Sequence, residues 1–207
     1  MITLPTRGLY AITQPDNKTT DALLDEVAAA IRGGAVIVQY RDKNPIDAVA
    51  TAAKLLELCR QQAVPLIIND NIELAASIGA DGVHLGQTDG NISQARKQLG
   101  QNAIIGVSCY NSLELAITAE AEGASYVAFG RFFPSTSKPL AAPAQLQNLH
   151  QAKATLKLPI VAIGGILPEN GQSLLEAGAD LLAVIGGLFD SEPEQSARAY
   201  QRLFDLS

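Results

Sequence analysis

The stretch PLIINDNIELAASIGADGVHLGQTD, residues 65–89, reads as strand, helix, strand. Leu66-Ile67-Ile68-Asn69 and Gly82-Val83-His84-Leu85 are apolar runs of strand length, and a carboxylate follows each: Asp70 after the first, Asp89 after the second. If both strands run the same way in one sheet, the two acids share one rim. Two carboxylates on a rim suit Mg2+ carrying a phosphate ester, because this hard cation prefers oxygen and usually takes only one or two ligands from protein. Helix capping is the other reading. Asp70 precedes a helix at Ile72 and Asp89 one at Ile92, where a short acceptor satisfies first-turn N–H groups. The residues alone leave both readings open.

The same alternation extends in both directions. Strands are expected at 9–13, 36–40, 66–69, 82–85, 104–108, 126–130, 160–163 and 181–185. Helical patterns fill the intervals, for instance 21–32, 46–62, 111–122 and 144–156. Pro45, Pro143 and Pro168 sit where helices begin, a position that tolerates proline. An internal repeat marks every second unit: Gly34-Ala35, Gly79-Ala80-Asp81, Gly123-Ala124-Ser125 and Gly178-Ala179-Asp180, at offsets of 45, 44 and 55 residues. Each glycine reads as the left-handed residue that ends a helix before the next strand. Near-continuous apolar strands separated by helices indicate a parallel sheet. Eight units in 207 residues predict an α/β fold, a (β/α)8 TIM barrel forming a single domain over 1–207. A doubly wound open sheet is the alternative, and a solenoid fits less well because the helices are long.

Bulk properties narrow the function. Hydrophobic residues make up 47% and charged residues 17%, as expected for helices packed on a buried sheet. A net charge of -6 without a basic stripe argues against nucleic acid as a partner. No apolar run approaches the ~18 residues that cross a bilayer, and the N-terminus has no signal-peptide pattern. Cys59 and Cys109 form neither a framework nor a CxxC pair, so a reducing cytoplasm is expected. Nothing in the sequence fixes the oligomeric state.

In such a barrel the functional face lies at the strand C-termini. Those positions carry Gln39-Tyr40-Arg41-Asp42-Lys43, Asn69-Asp70, His84 to Asp89, Ser108-Cys109, Gly130-Arg131, Ser135-Thr136-Ser137-Lys138, Gly164-Gly165 and Ile185-Gly186-Gly187. Cations, acids, hydroxyls and glycine pairs suit phosphorylated ligands, and glycines after strands seven and eight lie where barrels bind phosphate through backbone N–H groups. Solvated turns and polar loops are the plain alternative. Cys109 reads as a small apolar filler, His84 as a pocket wall and His150 as a surface residue. No Ser-His-Asp order, HExxH or Walker loop is present, so binding of anions and a metal should carry the chemistry.

With these segments in order, the chain resembles the thiamine phosphate synthase family over essentially its whole length. The resemblance rests on Gln39-Tyr40-Arg41-Asp42-Lys43, Ile68-Asn69-Asp70, the run from Asp81 to Asp89, Gly106-Val107-Ser108, Gly130 with Pro134 to Lys138, Ala162 to Ile166, and Ala183-Val184-Ile185. It implies a barrel enzyme that condenses an aminopyrimidine methyl diphosphate with a thiazole ethyl phosphate, with or without a 2-carboxylate, releasing pyrophosphate. It assigns Mg2+ to Asp70 and Asp89. It assigns the pyrimidine diphosphate to Gln39, Tyr40, Arg41, Asp42, Lys43, Asn69, Ser108 and Lys138, with Arg41, Lys43, Ser108 and Lys138 as the catalytic set. It assigns the thiazole phosphate to Ser135, Thr136, Ser137, Gly165, Ile185 and Gly186. Three departures stand out: Ser135-Thr136-Ser137-Lys138 replaces the family's Thr-x-Thr-Lys, Gly186 replaces a frequent serine, and Tyr40 replaces a more usual aliphatic residue and is expected to point into packing. A thiazole tautomerase and a non-catalytic phosphate-binding barrel are the rival readings, but neither requires the acids and cations together.

Overall fold

The computed structural model describes residues 3–15, 18–134 and 143–205. Its strands are β1 (Gly8–Ile12), β2 (Ala35–Tyr40), β3 (Leu66–Asn69), β4 (Gly82–Leu85), β5 (Ile104–Tyr110), β6 (Tyr126–Gly130), β7 (Ile160–Ile163) and β8 (Leu181–Val184). Its helices are α1 (Thr20–Arg32), α2 (Ala48–Gln61), α3 (Ile72–Ile78), α4 (Ile92–Leu99), α5 (Leu113–Ala121), α6 (Leu146–Thr155), α7 (Pro168–Glu176), α8 (Gly186–Phe189) and α9 (Pro193–Asp205). Each strand runs parallel to the next, and β8 pairs back onto β1. This closure rules out both the open sheet and the solenoid.

The two-residue period of the strands divides the core in two. One set of side chains fills the barrel: Tyr10, Ile12, Ile37, Ile67, Ile104, Tyr126, Ala128, Val161, Leu181 and Ala183. The alternate set, including Leu9, Val38, Ile68, Val83 and Phe129, packs against the helices. Gln39, Asn69, His84 and Ser108 follow the inward parity, and so stand at or below the C-terminal rim.

The internal repeat has a structural role. Gly79 sits at φ +67 and closes α3 as a left-handed cap, a conformation that glycine adopts without steric cost. The third residue of the repeat then ties the strand N-termini together. Asp81 accepts from the Leu66 N–H at 3.0 Å, Ser125 from Ile105 at 3.0 Å and Asp180 from Ile160 at 2.9 Å. The repeat therefore holds the rim opposite the candidate site, where backbone donors at the strand starts need partners.

Several boundaries differ from expectation. Helix α2 begins at Ala48 rather than 46, and α5 at Leu113 rather than 111, because Asp47 and Ser112 accept first-turn N–H groups as N-caps. Pro168 occupies the first turn of α7, whereas Pro45 and Pro143 lie ahead of the caps Asp47 and Gln145. Strand β5 runs on to Tyr110, so Cys109 is a buried strand residue packed on the helical side. Strand β8 ends at Val184, and Ile185 becomes the residue that caps the short helix α8.

Candidate active site

A cavity of about 490 Å³ opens at the strand C-termini. Gln39, Arg41, Asn69, Asp70, His84, Ser108, Gly165, Ile185 and Gly186 all line it, as does Asp89. Their strands order the wall: β2 to β5 supply the acids and amides, and β7 and β8 stand across the mouth with the glycines.

The capping reading of the two acids is overturned. Asn71 caps α3, accepting from Leu74 N–H at 2.8 Å, and Asn91 caps α4, accepting from Gln94 N–H at 2.8 Å. Asp70 and Asp89 therefore do not cap these helices. Asp70 adopts φ +63, a left-handed conformation in which Asp and Asn are enriched among non-glycine residues. Its N–H donates to the His84 carbonyl at 2.8 Å, and Asn69 Nδ2 donates to its Oδ2 at 2.5 Å. The Asp89 Oδ2 accepts from the Gly86 N–H at 3.0 Å. Both carboxylates converge over Gly86: a Cβ there would run into the Asp89 carboxylate and come within 4.0 Å of Asp70 Oδ1. The missing side chain leaves a pocket with oxygens on two sides, which fits a hard cation that completes its shell with phosphate and water. Among the described residues no group of three or more His, Cys, Asp or Glu could hold a metal.

Replacing Asn71 or Asn91 with alanine is expected to cost about 1 kcal/mol of stability each, measured by urea unfolding, with turnover unchanged. A loss of turnover matching that of the acid variants would tie the caps to chemistry and contradict this assignment.

The Gln39-to-Lys43 segment is split by its geometry. Gln39 and Arg41 line the cavity. Arg41 is held by buried Thr13, whose hydroxyl accepts from the Arg41 N–H at 2.9 Å. Tyr40 points outward into the helix-packed core, where burial, and then Asp42, push its hydroxyl up to about 12. Asp42 shapes the turn, accepting from the Asn44 N–H at 2.9 Å, and Lys43 is exposed. Tyr40, Asp42 and Lys43 lie outside the cavity wall. Ser135, Thr136, Ser137 and Lys138 lie outside the described residues, although the ends of their loop meet: the Ala144 N–H donates to the Arg131 carbonyl at 2.7 Å.

The β7 and β8 side is built from backbone. Gly165 has φ +64, and its carbonyl accepts from Asn170 Nδ2 at 3.1 Å. A Cβ at Gly186 would meet the Asp190 carboxylate, so that acid occupies the room a serine side chain would need.

Tyr10 and Tyr126, absent from the sequence expectations, join Gln39, His84 and Ser108 in the floor. Gln39 Nε2 donates to the Tyr10 hydroxyl at 2.9 Å, which lies 2.7 Å from the Tyr126 hydroxyl. Tyr126 meets His84 Nδ1 at 2.9 Å, and His84 Nε2 meets Ser108 Oγ at 2.9 Å. The His84 and Tyr126 rings stack with centroids 5.6 Å apart. Both ring nitrogens of His84 are engaged, which makes it a poor general base and agrees with its reading as a wall. Burial pushes both tyrosine hydroxyls well above their ordinary range, so they keep their protons. The signal in the sequence was slight: a tyrosine at an inward position of β1 and another of β6. Cys109 is buried, and desolvation pushes its thiol up to about 12, which fits an inert filler. His150 is exposed on α6.

The chain is similar to known proteins along nearly its whole length. A family model described as thiamine monophosphate synthase matches residues 9–188. The thiamine-phosphate synthase of Methylococcus capsulatus is 51% identical over 204 residues, covering 98% of this chain and 90% of the relative. That of Nitrosococcus oceani is 53% identical over 198 residues, covering 95% and 91%. The solved structure of a thiamine phosphate pyrophosphorylase from Pyrococcus furiosus has a TM-score of 0.87 at 31% identity, covering 97% of this chain and 96% of that one.

Proposed function

The chain belongs to the thiamine monophosphate synthase family, and on that premise we propose how its barrel mouth divides the work between two phosphorylated heterocycles. It joins 4-amino-2-methyl-5-(diphosphooxymethyl)pyrimidine to thiazole ethyl phosphate, giving thiamine monophosphate and pyrophosphate. Arg41, Asn69, Gln39 and Ser108 take the pyrimidine diphosphate, and the family resemblance adds Lys43 and Lys138 to that set. Gly165, Ile185 and Gly186, with Ser135 to Ser137, take the thiazole phosphate.

The observation that carries this reading is the convergence of Asp70 and Asp89 over Gly86, in the same cavity as Arg41, Asn69 and Ser108. Asp70 and Asp89 would hold Mg2+, which when bound offsets charge on the diphosphate oxygens. The bond between the pyrimidine methylene and the diphosphate oxygen breaks, and its electron pair leaves with pyrophosphate. The electron-rich aminopyrimidine spreads the positive charge on the methylene. Arg41 and the Ser108 hydroxyl stabilise the charge gathering on the departing group, the electrostatic contribution that is usually largest. The thiazole nitrogen then forms the C–N bond with its own lone pair. No proton moves, so no general base is needed, in keeping with a His84 whose ring nitrogens are both occupied. The apolar floor of Val161, Ile163 and Ala183 shields the cation from water.

The test is to mix the protein with both phosphorylated substrates and Mg2+. Thiamine monophosphate and pyrophosphate are expected in equal amounts. Folded protein that binds both substrates and forms no product would refute the assignment in favour of a non-catalytic barrel.

A further inference from the structure

Five side chains from five strands make one hydrogen-bonded chain through the barrel interior: Gln39 on β2, Tyr10 on β1, Tyr126 on β6, His84 on β4 and Ser108 on β5. Hydroxyls and a neutral imidazole each donate one way and accept the other. The chain therefore has two possible directions, and its ends decide between them.

At one end stands an amide nitrogen, which only donates. Gln39 Nε2 makes the Tyr10 oxygen an acceptor. Tyr10 is buried, and among the described residues its other hydrogen-bond partner is Tyr126. If Tyr126 donated back to Tyr10, the Tyr10 proton would be left without a protein acceptor among the described residues, an unfavourable state for a buried polar group. Tyr10 thus donates to Tyr126. The Tyr126 proton goes to His84 Nδ1, the remaining ring proton sits on Nε2 and donates to Ser108 Oγ, and the Ser108 proton turns to the cavity.

The other end agrees. On the reading that this cavity takes the pyrimidine diphosphate, on which this inference rests, Ser108 faces a group that only accepts hydrogen bonds. A Ser108 that spent its proton on His84 would present lone pairs to phosphate oxygens.

We infer that Tyr10, Tyr126 and His84 are positioning residues that hold His84 in the Nε2–H tautomer and so make the Ser108 hydroxyl a dedicated donor to the diphosphate. Both tyrosines lie in the lining of the cavity, and their effect on Ser108 runs through His84. Their T-shaped contact, with ring centroids 5.8 Å apart, and the Tyr126–His84 stack keep the polar chain in register.

The first test needs no substrate. In protein labelled with 15N-histidine, the His84 ring is expected to show a protonated Nε2 and an unprotonated Nδ1, with exposed His150 as the internal reference. An Nδ1–H ring, or an averaged mixture, would overturn the inference. The second test is kinetic. Tyr126→Phe is expected to raise KM for the pyrimidine diphosphate about tenfold, the scale of one hydrogen bond to a charged group, and to leave KM for the thiazole phosphate unchanged. Ser108→Ala should do the same, and the double variant should be no worse than either alone. Additive effects, or an unchanged KM with a scrambled tautomer, would refute the link from His84 to Ser108. If Tyr126→Phe does not fold, the ring spectrum of the unaltered protein still decides the tautomer. Failure of the proposed function is distinct: turnover would be absent in the unaltered protein while the nitrogen spectrum still reported the tautomer.

Discussion

Asp70→Asn and Asp89→Asn variants are each expected to lose about 10²- to 10³-fold in pyrophosphate release, the range typical of removing one strong electrostatic stabiliser from an active site. Melting temperature should hardly move. Asparagine keeps an oxygen to accept from the Gly86 N–H that Asp89 now binds at 3.0 Å. At position 70 it tolerates the left-handed backbone as well as aspartate does. The loss is thus one of charge rather than of fold. Because both acids face the same space over Gly86, the double variant should be little worse than either single one, as for groups that act as a unit. Raising Mg2+ should recover part of the single-variant activity by mass action. Variants that melt early but turn over normally would mean that the acids are structural.

The second large effect is expected at Gly165. The residue sits at φ +64, and an added Cβ would meet the Pro134 carbonyl and lie 2.9 Å from Phe133 Cβ. That carbonyl is main chain, so it cannot swing aside. The β6 loop is tied here to β7 and its loop: Phe132 N–H donates to the Ile163 carbonyl at 3.2 Å, and Phe133 N–H to the Gly164 carbonyl at 3.0 Å. Gly165→Ala must part these segments or strain the backbone, at a cost of about 1–3 kcal/mol. The damage lies on the β7 and β8 side. KM for the thiazole phosphate should therefore rise about tenfold, equivalent to ~1.4 kcal/mol, with KM for the pyrimidine diphosphate nearly unchanged. Gly100→Ala is the control: it also has positive φ, +91, but nothing lies within 4 Å of its Cβ. It should cost some stability and no affinity. Equal changes in both KM values would place Gly165 outside the thiazole phosphate site.

Much of this could be read from local pattern. Strands β3, β4, β6 and β7 fall on the residues expected for them, because apolar runs bounded by Gly-Ala or proline signals are local features. Errors concentrated where a cap displaced a boundary, as Asp47 and Ser112 did at α2 and α5. Tyr40 belongs to the motif that the resemblance assigns to substrate, but the two-residue strand period turns it into packing, as its departure from an aliphatic residue suggests, and away from the cavity that Gln39 and Arg41 line.

The sequence by itself determined the parallel eight-unit order, the rim on which chemistry would lie and the presence of two acids there. These follow from hydrophobic period and spacing along the chain. Only the tertiary structure decided that the acids are not the helix caps. An acid that caps and an acid that faces the cavity look the same in sequence; here Asn71 and Asn91 take the helix ends, and Asp70 and Asp89 meet over Gly86. The tyrosine chain is likewise a product of closure. Tyr10 and Tyr126 are 116 residues apart, and each looks like ordinary core filling until the barrel brings their hydroxyls to 2.7 Å.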